Sequence, residues 1–217
     1  KSILYVCKKK AGTQYAISTN TNIYEYNLET GKTINRTEGN EGYDTAPQFS
    51  PTGNLTWLQM KRDGYEADKN DLIVSFKGMN INLTANWDGT VDHFKWSADG
   101  KKVYFIAPID GTKQLFEVNF PGLTKIAIQV HQITNGDFDV NDIVGVFISL
   151  PAKTSEVTSI EYGTIPNCNS VETLSVNQTP FSETKNSNLL LYIFSEKISN
   201  TNGLPCLFPT FIAVSIS

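Results

Sequence analysis

The sequence predicts an all-β fold, a partial β-propeller of four-stranded antiparallel blades, on three observations. The phrases Gln48-Phe49-Ser50-Pro51-Thr52-Gly53-Asn54 and Lys95-Trp96-Ser97-Ala98-Asp99-Gly100-Lys101 lie 47 positions apart and share an aromatic, a serine and a glycine turn. Three strand-ending phrases, Arg36-Thr37, Leu83-Thr84 and Ile133-Thr134, follow one another at intervals of 47 and 50 residues. Short apolar runs bounded by turn residues fill the intervals, with no helical periodicity. Four short strands in each unit of this length is the arithmetic of a propeller blade.

The elements follow in order. In the second unit strands are expected at about 46–49, 55–60, 71–75 and 80–83, and in the third at about 92–96, 103–107, 114–118 and 126–133. Thr52-Gly53 and Asp99-Gly100 supply a φ > 0 position between the first two strands of a unit, and Thr30-Gly31 supplies one in the first unit. Phe49, Trp57, Phe94, Trp96, Tyr104 and Phe105 read as core side chains that wedge neighbouring blades together. Lys1-Ser2-Ile3-Leu4-Tyr5 matches Lys101-Lys102-Val103-Tyr104-Phe105, which follows Ser97-Ala98-Asp99-Gly100. A first blade lacking its opening strand is expected, in a fragment whose first strand and any export signal lie upstream.

At 217 residues and 40% apolar content the chain can bury an ordinary core. Eighteen Lys and Arg against 22 Asp and Glu give a net charge of -4, which repels a phosphate backbone, so neither nucleic acid nor an acidic membrane is an expected partner. Lys8, Lys9 and Lys10 read as a solvated loop. The longest apolar run, 189–194, is far too short to span a bilayer. Cys7, Cys168 and Cys206 lack the paired spacing of a zinc site; Cys168 and Cys206 would be able to pair in an oxidising compartment, and Cys7 reads as a small buried hydrophobe.

Residues that look functional recur with the period. Asp44, Asp92 and Asp142 fall seven or eight residues after the anchoring threonines, where a carboxylate is expected to cap backbone donors of the turn. Asp137-x-Asp139-x-Asn141 alternates like a calcium loop but lacks that loop's glycine and distal glutamate, so no metal or other cofactor is expected. Asn35-Arg36-Thr37, Asn54-Leu55-Thr56, Asn82-Leu83-Thr84 and Asn177-Gln178-Thr179 are formal glycosylation sequons, two of them in one repeat register, which the repeat itself explains.

Composition changes abruptly at Gly145. All eleven aspartates and all three tryptophans precede it, whereas residues 146–217 hold no Asp, no Trp and two glycines. Blades are expected over 1–145. Residues 146–217 are either a degenerate blade, with strands at 157–162 and 189–194, or a disordered tail such as one read in a shifted frame.

The stretch Tyr43-Asp44-Thr45-Ala46-Pro47-Gln48-Phe49-Ser50-Pro51-Thr52-Gly53, followed by Met60-Lys61-Arg62-Asp63-Gly64-Tyr65-Glu66-Ala67-Asp68-Lys69, resembles the N-terminal propeller of prolyl-oligopeptidase-family serine peptidases of the bacterial dipeptidyl peptidase IV and acylaminoacyl peptidase type. Trp87-Asp88, Phe94-Lys95-Trp96-Ser97, Gln114-Leu115-Phe116 and Ile133-Thr134-Asn135-Gly136 continue the resemblance, which covers about two thirds of the chain. It implies a following α/β-hydrolase domain carrying the chemistry, a peptide substrate, and a periplasmic or secreted parent. The serine elbow Gly-x-Ser-x-Gly of such a domain is absent, since none of the 15 glycines has a serine two positions later. His93 and His131 are the only histidines, neither attached to a nucleophile by any motif, and both read as packed or solvated. Glu66 invites comparison with the glutamates by which dipeptidyl peptidases hold a substrate's amino terminus, but its local pattern departs from theirs and the role is not carried over.

The expected function is therefore a non-catalytic propeller portion that filters substrates for an oligopeptidase, with no catalytic, cofactor or metal residue of its own. The alternative is a propeller of the Tol-associated type that binds a partner protein in the periplasm. A histidine-bound metal lyase is disfavoured by two histidines. An incomplete first blade also leaves an open strand edge through which the chain would be able to self-associate.

Overall fold

The computed structural model describes residues 1–122, 124, 127–148, 161–163, 173–175, 189–194 and 210–216. Cys168, Cys206, the sequon at Asn177 and residues 157–160 lie outside them. The chain is built almost wholly of antiparallel strands and forms two compact units, Lys1–Asp92 with Asn119–Val130, and His93–Val118 with His131–Ser217.

The first unit holds two sheets. One has three strands in the order β1 (Ser2–Cys7), β2 (Asn22–Asn27), β3 (Thr33–Asn35), with one short helix, α1 (Thr13–Ile17), between the first two. The other has four sequential strands, β4 (Asp44–Phe49), β5 (Leu55–Gln59), β6 (Asp71–Phe76) and β7 (Met79–Asn82). The sheets are held together by Ile23, Leu55, Trp57 and Ile73, all buried, with Leu4 packed against them.

The second unit repeats the four-stranded pattern in β8 (His93–Trp96), β9 (Lys102–Ile109), β10 (Thr112–Asn119) and β11 (Val130–Gln132). Its other sheet runs β12-β16-β15-β14-β13, where β12 is Val140–Ile148, β13 Glu161–Gly163, β14 Thr173–Ser175, β15 Leu189–Phe194 and β16 Thr210–Ile216. Tyr104, Ile106 and Leu115 of the first of these sheets form one core with Val140, Ile143, Ile212 and Val214 of the second. Position 145 falls inside β12, whose partner strand is β16. The strands expected for the second and third repeats are present; the last of them is shorter than expected, three residues from Val130.

Each recurring phrase has a mechanical reason. The hydroxyls of Thr37, Thr84 and Thr134, all buried, accept the backbone N–H of Ile23, Leu72 and Leu115 at 3.0, 3.0 and 2.8 Å. The residue before each threonine returns its own N–H to the carbonyl of that same core residue, at 2.8 Å in all three cases. Asn35 and Asn82 accept the N–H of Thr37 and Thr84 through their side-chain oxygens, so those sequon asparagines brace the strand end. The serines of the other phrase close the first turn. Ser50 Oγ accepts the Asn54 N–H at 2.9 Å and Ser97 Oγ the Lys102 N–H at 2.9 Å, around Gly53 and Gly100 at φ 83° and 70°.

Of the six aromatics expected inside, Trp57, Phe94, Trp96, Tyr104 and Phe105 are buried, whereas Phe49 on edge strand β4 is 43% exposed. The three aspartates do not share one job. Asp44 is fully buried, and its Oδ1 accepts from Trp57 Nε1 and Gln59 Nε2, each at 3.0 Å, and from Asn40 Nδ2 at 3.2 Å, so it serves side chains rather than backbone donors. Asp92 is exposed, and Asp142 stands 3.3 Å from His93 Nε2 on the surface. The ladder explains the difference. Leu55 opposes Phe49 as Val103 opposes Trp96, so Phe105 and Ala107 occupy the places of Trp57 and Gln59 and offer no donor. A bulge at Ala46-Pro47, with Ala46 at φ 50°, takes up the extra residue in β4 and keeps Asp44 opposite Gln59.

Burial pushes the Asp44 carboxyl above its ordinary pKa, against the opposing hydrogen bonds from Gln59, Thr37, Asn40 and Trp57. A raised folded pKa means that Asp44 favours folding less as pH rises through and above 3.8. Asp44→Asn, which keeps an acceptor and removes the charge, is expected to unfold at a denaturant midpoint independent of this titration. Asp44→Leu strands the donors of Trp57 and Gln59, at about 1–3 kcal/mol per buried group. Adding Trp57→Phe and Gln59→Ala to it should recover part of the loss; a triple variant no more stable than Asp44→Leu contradicts the account.

The blade closure is tested the same way. Thr84→Val leaves the Leu72 N–H without an acceptor and is expected to lower unfolding free energy by about 1–3 kcal/mol, while Thr84→Ser costs less than half as much. A larger loss in Thr84→Ser than in Thr84→Val would show that the methyl group, not the hydroxyl, matters there.

Candidate functional site

The first unit carries a cleft of about 460 Å³. One wall is the β1–β2 connection, with Lys8 and the residues from Ala16 to Thr19 at the end of α1; the other is the β5–β6 connection from Gly64 to Ala67, and Tyr43 completes the lining. Both connections are long, whereas the corresponding β9–β10 turn is two residues, Asp110-Gly111, at φ 49° and 84°.

Asp63 pins the two walls together. Its Oδ1 accepts from Ser18 Oγ at 2.8 Å, from the Thr19 N–H at 2.6 Å and from the Asn20 N–H at 3.3 Å, while Thr19 Oγ1 accepts the Gly64 N–H at 2.9 Å. The Ser18 hydroxyl, helped by the backbone donors of Thr19 and Asn20 and the charge of Lys10, holds this carboxyl below its ordinary pKa despite some desolvation. Within the second wall Arg62 forks onto Asp68, with Nε 3.0 Å from both carboxylate oxygens, and its guanidinium carbon lies 4.0 Å from the Tyr65 ring centre. The pairing with Arg62 lowers the Asp68 pKa and raises that of Arg62. Lys69 ends the loop, its ammonium donating to the carbonyls of Thr84 and Trp87 at 2.6 and 2.5 Å and facing Asp71 at 2.8 Å.

The rim is apolar and aromatic. Ile17, Tyr15 and Tyr65 are more than half exposed, and Lys8 Nζ lies 4.8 Å from the Tyr15 ring centre. Lys9 Nζ sits 3.8 Å over Tyr24, so two lysines of the expected solvated run rest on tyrosine faces. Glu66 lines the cleft and is exposed. The arrangement offers a rigid, mixed-polarity groove with a carboxylate and an ammonium in its lining.

Neither histidine is among the residues that line this cleft; both belong to the second unit. His93 faces Asp142, and His131 is exposed on β11. In the Asp137-x-Asp139-x-Asn141 loop the carbonyls of Gly136 and Phe138 accept from Gln114 Nε2 at 3.0 and 2.8 Å, and Asp139 accepts the Lys113 N–H at 2.6 Å. Among the described residues no group of three His, Cys, Asp or Glu is placed to hold a metal ion. Sequence reasoning missed Asp63 as the pin, although Asp63 lies within the stretch Met60–Lys69 that carries part of the family resemblance.

No protein-family model matches the chain. It is 39% identical over 145 residues to dipeptidyl-peptidase 5 of Porphyromonas gingivalis, covering 65% of this chain and 20% of that protein. It is 44% identical over 142 residues to dipeptidyl-peptidase 5 of Porphyromonas endodontalis, covering 64% and 20%. A probable dipeptidyl-peptidase 5 of Arthroderma benhamiae is 35% identical over 83 residues, or 36% of this chain and 11% of that protein. Among solved structures, TolB from Acinetobacter baumannii is similar at a TM-score of 0.47 and 16% identity, over 98% of this chain and 40% of that one.

Asp63→Ala is expected to leave both sheets folded and to release the walls. Amide exchange at Thr19, Asn20 and Gly64 should accelerate by about tenfold or more while that at Trp57 and Ile73 is unchanged. Because the Asp63 pKa is lowered, its contribution is present above pH 3.8 and lost as pH falls below it, so wild type and variant should converge in acid. Unchanged exchange at all three amides would remove Asp63 from this role. The resemblance to dipeptidyl peptidases read from the sequence is thus borne out: the chain is a relative of the dipeptidyl-peptidase 5 proteins, spanning about 20% of the length of those from Porphyromonas.

Proposed function

We propose that the chain is the non-catalytic propeller portion of a peptidase acting on short peptides, gating access to an α/β-hydrolase domain outside these residues in a periplasmic or secreted parent. The observation that carries this reading is the identity of 39% and 44% to two dipeptidyl-peptidase 5 proteins over 145 and 142 residues. The physical character of the blades supports it. Filtering substrates by size is steric work that needs rigid walls rather than reactive side chains. Three identical closures, each tying a strand end to a core residue by two hydrogen bonds, supply that rigidity.

The chain alone is expected to show no turnover of dipeptidyl nitroanilides. Hydrolysis by the purified chain, whether retained or lost in His93→Ala and His131→Ala, would overturn the proposal. In the intact parent, Thr84→Val should narrow the kcat/KM advantage of short peptides over long ones with little change for the shortest substrate. An unchanged ratio would argue that these blades do not gate.

A further inference from the structure

Behind each threonine closure lies a second recurring contact that no sequence phrase announces. Asn20 and Lys69 stand three residues before the core residues Ile23 and Leu72, and Asn40 and Trp87 stand three residues after the closing Thr37 and Thr84. Asn20 Nδ2 donates to the Asn40 carbonyl at 2.7 Å, and Lys69 Nζ donates to the Trp87 carbonyl at 2.5 Å and to that of Thr84 at 2.6 Å. The accepting turn is the same in both repeats, since the N–H groups of Asn40 and Trp87 return to the carbonyls of Thr37 and Thr84 at 3.4 and 3.1 Å. In the third repeat the donor moves two places along the chain. Gln114 Nε2, next to Leu115, reaches the carbonyls of Gly136 and Phe138 on either side of Asp137, which is three residues after Thr134. Each of the three repeats therefore seats a side-chain nitrogen among the carbonyls that follow its closing threonine.

The charge of that nitrogen follows its neighbour. Asn20 pairs with Asn22 at 3.2 Å, Thr112 with Gln114 at 3.0 Å and Lys69 with Asp71 at 2.8 Å. Of the three residues that precede the core residue only Asp71 is a carboxylate, and only its seat holds an ammonium. The three N–H groups of that ammonium match three oxygens, the carbonyls of Thr84 and Trp87 and Asp71 Oδ1. Asp71 Oδ1 also accepts the Thr84 hydroxyl at 3.0 Å, and that hydroxyl accepts the Leu72 N–H, so the seat and the blade closure share an atom. We propose that this seat is a binding site for a primary ammonium group, filled by the chain's own Lys69 and able to take a free alkylammonium ion when that side chain is cut short. Lys69 is thereby a positioning residue, holding the end of the β5–β6 connection onto the closure of its blade. Its side chain is 30% exposed, which gives a small ion a way in from solvent. The inference stands apart from the peptidase reading.

The test is chemical rescue in the full chain. In Lys69→Ala, amide exchange at Leu72 and Trp87 is expected to quicken by about tenfold, with Ile23, closed by Thr37 in the first blade, unchanged. Added n-propylammonium chloride, which restores the atoms removed, should return both rates to within about twofold of wild type. Tetramethylammonium chloride at the same ionic strength carries the charge without an N–H and should not. Lys69→Met, which keeps most of the stem, should behave as Lys69→Ala does before rescue. If Lys69→Ala fails to fold, recovery of the folded chain in n-propylammonium but not in tetramethylammonium is the same positive result. Wild-type exchange in Lys69→Met would give the role to packing of the stem and overturn the proposal. So would equal rescue by the two salts, or rescue by neither.

Discussion

The rest of the structure depends on one hydrogen bond made three times, from the N–H of a buried core residue to a threonine hydroxyl. Ile23, Leu72 and Leu115 enter the core beside the last residues of their sheets, where no regular ladder partner remains for their N–H groups. A buried backbone donor without an acceptor costs about as much as a domain can spare, so an oxygen must be supplied locally. Threonine supplies it through its hydroxyl. Because the preceding residue returns its own N–H to the same core carbonyl, the strand end is held at two points. The sequence period is the period of this closure.

That is why the blades were readable and some of their contents were not. Alternation, glycine turns and the threonine phrase act over a few residues, and the strands of the second and third repeats appear where they predict them. Asp44 was read as the equal of Asp92 and Asp142 because spacing along the chain is blind to the strand alongside. Its burial is decided by Trp57 and Gln59, 13 and 15 residues on, and the third repeat has Phe105 and Ala107 there. The bulge that keeps the register hides in Ala46-Pro47, where a strained φ leaves no trace in residue type.

The cleft was less legible still. Asp63 works through partners 43 to 45 positions away, and the helix α1 is five residues long without a side-chain cap, too short to register as a periodicity. Only the family resemblance drew attention to the stretch Met60–Lys69. Four of its charged residues tie the loop down: Asp63 holds the facing wall, Asp68 holds Arg62, and Lys69 caps two carbonyls.

The division of labour between repeat and loop follows from these constraints. A position that must close a blade is tied to the core by buried hydrogen bonds, so its residue type cannot drift without a loss of stability. The connection between the second and third strands of a blade carries no such duty, and the third blade reduces it to Asp110-Gly111, the least a right-twisted hairpin needs. The first two blades keep long connections at the same place, and Asp63, Arg62 and Lys69 supply the polar ties that hold them in a defined shape. Apart from Lys69, whose ammonium also holds the carbonyl of the closing Thr84, the loop is ordered by polar ties outside the blade closure, and these must be accounted for by what it faces. In this chain the two such loops face each other across the cleft, with Tyr65 fixed under the Arg62 guanidinium at its rim.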